Sequence, residues 1–256
     1  MQILLKLALS LLAIAMNLIY QYPTLFSGRL IRRYKRFLAD IELDTGETIT
    51  AHCPNTGPMT GIAIPGKQVQ VSKSDNPKRK LAYTWEMIQI GYTWVGTNTA
   101  IPNRVVKLAL QQKLFPELAA YSTVRSEVPY GKDKKSRIDF LLTGNNSQPV
   151  IYVEVKSVTL SRDNLALFPD TVTIRGQKHL QELTDLVPET KAVMLYFINR
   201  GDCDRFSPSD ACDPQYGELL RLAVAKGVEV LPYRFEITPQ GISFLGLAEF
   251  LPREPL

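Results

Sequence analysis

The apolar positions of this chain change rhythm about a third of the way along. Between residues 22 and 98 they recur in short stretches with strand-like spacing, broken by polar turns. The pattern predicts strands over 30–43, 47–53, 68–72, 81–90 and 93–97. Asp44-Thr45-Gly46 reads as the turn between the first two, and Gly91-Tyr92 as a tight turn between the last two. Five strands on short loops suit a small OB-like barrel. From residue 99 the pattern becomes mixed. Residues 103–112, with Val105, Val106, Leu108 and Leu110, read as a helix, and 126–130, 137–142 and 150–160 as strands. Leu180, Leu183, Leu186 and Val187 mark a helix around Gln177, and 192–198 is an apolar strand. A long loop is expected over 199–215, then a helix over 216–226 stopped by Gly227 and a strand over 228–233.

Charges interrupt two of these apolar strands. Asp139 lies inside Ser136-Arg137-Ile138-Asp139-Phe140, and Glu154 and Lys156 lie inside a run of Val, Ile and Tyr. Fourteen residues separate the two acids, with the turn-forming stretch 145–149 between them. Residues i and i+2 of a strand share a face, so Glu154 and Lys156 point the same way. A charge buried in a strand is costly unless it is paired or bound to metal. Two readings follow. One is a structural ion pair across a hairpin, contributing roughly 0.2–1 kcal/mol. The other is a pair of carboxylates holding Mg²⁺, with the lysine positioning a water or stabilising a developing phosphorane.

The order helix, three strands, helix, strand, with these charges in place, resembles the PD-(D/E)xK nuclease superfamily and its restriction-endonuclease-like αβββαβ core. Asp139, Glu154 and Lys156 match its motif Asp, acid and Lys; the residue before Asp139 is Ile rather than Pro. The first helix carries no acid. Glu117 lies beyond Pro116, and Glu127 is the nearest substitute. Further segments narrow the resemblance: 33–40, His52-Cys53-Pro54-Asn55-Thr56-Gly57, Phe168-Pro169-Asp170 and 175–180. Together with 136–140 and 154–158 they resemble the sugar fermentation stimulation protein A family, from about Tyr22 to the helix after Gly176. That resemblance implies an OB-like barrel over 22–98 and a nuclease-like domain over 99–256. It also implies DNA binding without strong sequence preference and a role in regulating sugar-utilisation genes. DNA binding is the function expected first. The alternative is a Mg²⁺-dependent DNA phosphodiesterase in which Asp139 and Glu154 hold the metal. Gln177 joins the expected site, because some nuclease-like families use a Gln on the helix after the Lys strand. Asp170 either caps the segment leading into that helix or contributes to the site.

Composition adds partners and compartment. Apolar residues make up 45% of 256, enough for one large or two modest domains, and the net charge is +5. Arg29, Arg32, Arg33, Lys35 and Arg36 fall within eight residues and form the expected nucleic-acid-binding cluster. Lys78-Arg79-Lys80 is a second basic cluster, and Lys132, Lys134, Lys135 and Arg137 are a third. Any one alone reads as a solvated face; three beside a nuclease-like motif point to DNA. Three cysteines, Cys53, Cys203 and Cys212, fit a reducing cytoplasm and no zinc spacing. His52 and His179 are too isolated to argue a nucleophilic triad, and His179 reads as an ordinary polar helix residue. Residues 1–21 form an apolar extension, with Lys6 the only charge before Gly28. A start at Met16 or a dispensable leader is the favoured reading, and a membrane anchor its rival.

Overall fold

The computed structural model describes residues 18–131, 136–145, 148–187 and 189–255. Strand β1 (Leu18–Gln21) precedes a barrel of β2 (Leu25–Tyr34), β3 (Leu38–Leu43), β4 (Thr48–His52), β5 (Gln68–Lys73) and β6 (Tyr83–Ile90). The ladders run β4-β3-β2-β5-β6, and a parallel pairing of Ala51 and His52 with Tyr83 and Thr84 closes the ring. Strand β7 (Thr93–Gly96) extends it beyond β6. Alternate residues fill the interior, among them Leu30, Ile41, Ala51, Val69, Val71 and Trp85. The expected OB-like barrel is therefore present.

The second part is an α/β domain. Helix α1 (Ile101–Gln111) is followed by β8 (Thr123–Tyr130), β9 (Ser136–Thr143), β10 (Ile151–Val158), β11 (Leu160–Arg162) and β12 (Leu165–Phe168). Then come α2 (Ile174–Leu186), β13 (Lys191–Ile198), β14 (Arg205–Pro208), α3 (Pro214–Lys226), β15 (Glu229–Thr238), β16 (Gly241–Leu247) and β17 (Glu249–Phe250). The main sheet has the order β1-β16-β15-β13-β10-β9-β8, with β10, β13 and β15 parallel. Its centre is buried on both faces, as the unbroken apolar run of β13 requires. Val105, Val106 and Ala109 of α1 pack on one face with Val153, Val155 and Leu195. Leu180 and Leu183 of α2 and Tyr216 and Leu220 of α3 pack on the other with Met194 and Tyr196. Strands β11, β12, β14 and β17 form a separate small sheet.

Several boundaries differ from expectation. Residues 30–43 are two strands rather than one, because the chain turns at Lys35 and Arg36, with φ of 48° and 66°. No Gly or Asn marks that turn. The segment 150–160 divides into β10 and β11, and 199–215 is no continuous loop, since it contains β14. Residues 18–21, assigned to an extension, form β1 and pair with β16 of the second domain. The rest of the apolar stretch lies outside the described residues. Among the described residues no helix is long and apolar enough to cross a membrane.

Among the described residues, Met87 of the barrel is buried in the core of the second part, Val95 bridges Arg200, and two sets of hydrogen bonds fasten the parts further. Gly96 N–H donates to Asn199 O at 3.0 Å, and Asn199 Nδ2 donates to Gly96 O at 3.1 Å. A Cβ on Gly96 would lie 2.1 Å from Asn199 Oδ1 and would displace the Asn199 side chain that donates to Gly96 O. The loop after β4 is the other contact. Arg33 Nη2 donates to the carbonyls of Arg36, Asn55 and Gly57 at 2.7, 2.9 and 2.8 Å. Arg36 Nε donates to Thr56 O at 2.8 Å. The loop so held presents Met59 N–H to Asp170 Oδ2 at 3.2 Å. Asp170 thus joins the two parts and caps no helix; Thr173 caps α2 by accepting from Gly176 N–H.

Arg33 is therefore architectural. Arg33→Ala removes three charge-assisted bonds to carbonyls and should destabilise the protein by about 1–3 kcal/mol. Arg33→Lys should recover little, because an ammonium cannot reproduce the planar fork. Arg32, exposed and paired with Asp40 at 2.8 Å, should tolerate Ala without change. Urea unfolding midpoints separate these cases, and equal midpoints for Arg33→Ala and wild type would remove the architectural role.

Candidate active site

Strands β9 and β10 pair from Ile151↔Leu142 to Val153↔Phe140, and there their ladder stops. On the other side of β9, pairing with β8 steps from Ser126↔Phe140 to Val128↔Ile138. Asp139 occupies the interval. Opposite it Glu127 has φ of 55°, a left-handed conformation that costs a residue with a Cβ. The Asp139 carboxylate replaces the missing backbone acceptor. Its Oδ2 accepts from Val155 N–H at 2.7 Å, and its Oδ1 accepts from Asn103 Nδ2 of α1 at 2.7 Å. Burial, then the neighbouring Glu154 charge, push its pKa up to about 6, against the pull of Val155 N–H, Asn103 and Lys156.

Glu154 and Lys156 share the opposite edge of the gap. Lys156 Nζ lies 2.8 Å from Glu154 Oε1, and the two side chains are only 13% and 4% exposed, so the pair is largely shielded from water. His179 of α2 approaches the same oxygen through Nδ1. Arg175 Nε, one helical turn earlier, donates to His179 Nε2 at 3.4 Å. The ring thus turns Nδ1 to Glu154 and Nε2 to Arg175. Burial opposes ionisation of Glu154, but His179 and Lys156 outweigh it and hold its pKa below the usual range. Glu154 Oε2 is buried and has no hydrogen-bond partner among the described residues.

The other expected site residues lie elsewhere. Gln177 Nε2 donates to Asp213 Oδ1 and Oδ2 at 2.9 and 3.0 Å. Asp213 caps α3, so Gln177 braces two helices and is not directed at Glu154. Helical spacing explains this: Gln177 and His179 are two residues apart and face differently. In the first basic cluster, Arg33 and Arg36 hold the loop at 55–57, Arg32 pairs with Asp40, and Arg29 Nη1 donates to Gly66 O at 3.1 Å. Lys35 is exposed at the turn. Lys132, Lys134 and Lys135 lie outside the described residues. Glu117 accepts from Tyr233 Oη, away from Asp139. Cys53, Cys203 and Cys212 are free thiols. Asn103 and His179 escaped the sequence reading as site residues. A helical Asn or His carries no signal by itself, though Arg175 and His179 have the i, i+4 spacing of a pair. Among the described residues no group of three or more His, Cys, Asp and Glu is placed to hold a metal ion.

Comparison with known proteins accords with this architecture. Residues 31–97 match the family model described as the SfsA N-terminal OB domain, and residues 100–241 match the sugar fermentation stimulation protein RE domain. A sugar fermentation stimulation protein homolog of Rippkaea orientalis is 68% identical over 93% of this chain and 98% of its own length. Another, of Synechocystis sp., is 66% identical over 92% of this chain and 100% of its own. The structure of Pyrococcus furiosus SfsA in complex with Ca²⁺ superposes with a TM-score of 0.83 at 24% identity, covering 91% of this chain and 99% of that one.

The two acids make opposite predictions for stability against pH. A carboxyl raised to about 6 keeps its proton in the folded state after the unfolded chain has released it. Asp139 therefore lowers stability as pH rises through that window, and its cost is complete above it. Asp139→Asn should exceed wild type by about 1–3 kcal/mol near pH 8, with the gain vanishing near pH 4. Glu154 has a depressed pKa, so it contributes stability above its unfolded value that is lost as pH falls through the folded one. Glu154→Gln should thus cost most above about pH 5. Urea melts in EDTA across this range test both. An Asp139→Asn variant less stable than wild type near pH 8 would show that its hydrogen bonds, rather than its charge, dominate.

Proposed function

We propose a function from one established premise: the chain belongs to the sugar fermentation stimulation protein family. The protein binds DNA, and Asp139, Glu154 and Lys156 form a cation-dependent phosphodiesterase centre within it. One observation carries this reading. Glu154 is buried with one oxygen fixed by Lys156 and His179 and the other without a hydrogen-bond partner among the described residues, while the nearby Asp139 has its pKa raised. A passive scaffold gains nothing from an unsatisfied carboxylate oxygen beside a second acid. A hard divalent cation at that oxygen would offset both costs.

The residues fit Mg²⁺. Two carboxylates with water or phosphate oxygens completing the shell is its ordinary mode of binding, and each Asp139 oxygen keeps lone-pair capacity beyond its one hydrogen bond. Asp139 and Glu154 would hold the ion, which when bound supplies Lewis acidity toward a phosphoryl oxygen. The relative from Pyrococcus furiosus, described in complex with Ca²⁺, supports a cation of this class. The remaining work falls to the protein. Asn103 and Val155 N–H orient the Asp139 carboxylate. His179 holds Glu154 so that its second oxygen stays available. The Lys156 ammonium stands beside Glu154, where it can hold a water and stabilise negative charge developing on phosphorus. The gene-regulatory role would rest on the DNA-binding half of this reading.

A second reading keeps DNA binding alone. Its support is that Lys156 and His179 already compensate one Glu154 oxygen, as a structural cluster would.

Labelled single-stranded, duplex and branched DNA, incubated with Mg²⁺, Mn²⁺ or EDTA, decides between them. Binding is expected in all three conditions, and cleavage with the metals only. Lys156→Ala should lower turnover by at least ~100-fold while DNA binding persists. Mg²⁺ should raise the melting temperature of wild type and of Lys156→Ala, but not of Glu154→Gln. Binding with no metal-dependent cleavage on any substrate would leave the second reading standing.

A further inference from the structure

Beside the acid pair lies a cleft of about 320 Å³, lined by Glu127, Ser136, Arg137, Arg175, Lys178 and His179. Three elements build it: the middle of β8 at Glu127, the start of β9, and the first turns of α2. Ser136 and His179 form its buried floor, and Arg137, Arg175 and Lys178 stand exposed at its rim. Arg137 Nη1 donates to Glu127 O at 3.0 Å, and Lys178 Nζ donates to Ser136 Oγ at 3.2 Å. Two acids temper this charge. Glu127 lines the cleft, and Glu182 lies 3.4 Å from Lys178 Nζ and accepts from Ser136 Oγ at 2.8 Å. The cleft remains net positive.

We propose that this cleft is a phosphate subsite for a nucleic-acid strand, with Arg137, Arg175 and Lys178 as its cationic contacts. It rests on the reading of the site as one that acts on DNA, and it adds where the strand lies: over the N-terminal half of α2, along the edge of β9. Position is what connects the cleft to the chemistry. His179 is both a wall of the cleft and the partner of Glu154, and Arg175 reaches it from the rim. A phosphate engaged by Arg175 therefore sits one imidazole away from the carboxylate pair. Backbone N–H groups at the start of α2 add to the attraction for an anion. Arg175 and His179 are positioning residues here, since they set the strand and the carboxylate relative to one another.

Fluorescence anisotropy with a labelled oligo-dT in EDTA tests the subsite apart from any cleavage. Each phosphate contact to a single strand contributes about 0.7 to the slope of log K against log salt. Replacing Arg137, Arg175 and Lys178 together by Ala should reduce that slope by about 2, so that wild type loses ~20-fold more affinity than the variant between roughly 50 and 200 mM salt. Glu127→Gln, which removes the acid lining the cleft, should tighten binding instead, an effect that a purely structural role would not produce. A folded triple variant, checked by its melting temperature, with an unchanged slope overturns the proposal, as does a wild type that binds no oligo-dT. A reduced slope in a protein that never cleaves with Mg²⁺ keeps the subsite and removes the phosphodiesterase reading. Metal-dependent cleavage with an unchanged slope does the reverse.

Discussion

One hydrogen bond organises the site: Asp139 Oδ2 accepting the backbone N–H of Val155. In an unbroken sheet that N–H would find a carbonyl on β9. Here the ladder ends two residues earlier and a side chain takes the carbonyl's place. The substitution lets β9 and β10 part without orphaning a buried donor, which would otherwise cost about 1–3 kcal/mol. The gap admits Asn103 from one face of the sheet and His179 from the other. Glu127, forced into a left-handed conformation opposite Asp139, is the strain that accompanies the break. The centre is therefore a local failure of pairing, stabilised from both sides by intact sheet.

Backbone groups of the barrel help to fasten it to this sheet, beside the apolar packing of Met87 in the sheet's core. The Gly96–Asn199 exchange and the Met59–Asp170 bond both depend on peptide atoms held at fixed positions. Arg33 serves this fastening by tying the carbonyl of Arg36 in the β2–β3 turn to those of Asn55 and Gly57 in the loop after β4. A basic cluster conspicuous in the sequence is thus divided. Some of its members shape the loop that meets the second domain, and Lys35 projects from the hairpin turn. The desolvated side of Asp170, whose pKa burial raises, marks how closely that loop is seated.

What could be read from the chain follows from which signals are local. Charges inside apolar strands are conspicuous, so Asp139, Glu154 and Lys156 stood out, as did the two-part architecture and the order of the main elements. His179 and Asn103 could not stand out, because a polar residue on a helix is ordinary until the fold shows what it faces. Gln177 was drawn in by resemblance, yet its amide turns to Asp213. The Lys35–Arg36 turn carried none of the residues that favour positive φ, so two strands read as one. Strand β14 has four residues amid Asp, Pro and Ser, and pairing with distant β12 and β17 is what makes it a strand. Strand β16, between β1 and β15, is buried over its first three residues and mixes small with apolar positions, so it lacks a clear alternation.

Strand β1 gives the chain an unusual genealogy of parts. Because residues 18–21 complete the edge of the second domain's sheet beside β16, that domain begins before the barrel and resumes after it. Topologically, the barrel is a guest inserted into the host sheet near its first strand. During synthesis the guest can close as soon as β6 has emerged to pair with β4. The host must wait for β16 before its first strand finds a neighbour, a long-range contact that slows assembly. A fragment cut at the apparent boundary near residue 99 would thus not be the isolated host. It would leave β16 as an open edge, a template for pairing with other chains and a cause of aggregation unrelated to the chemistry of the site.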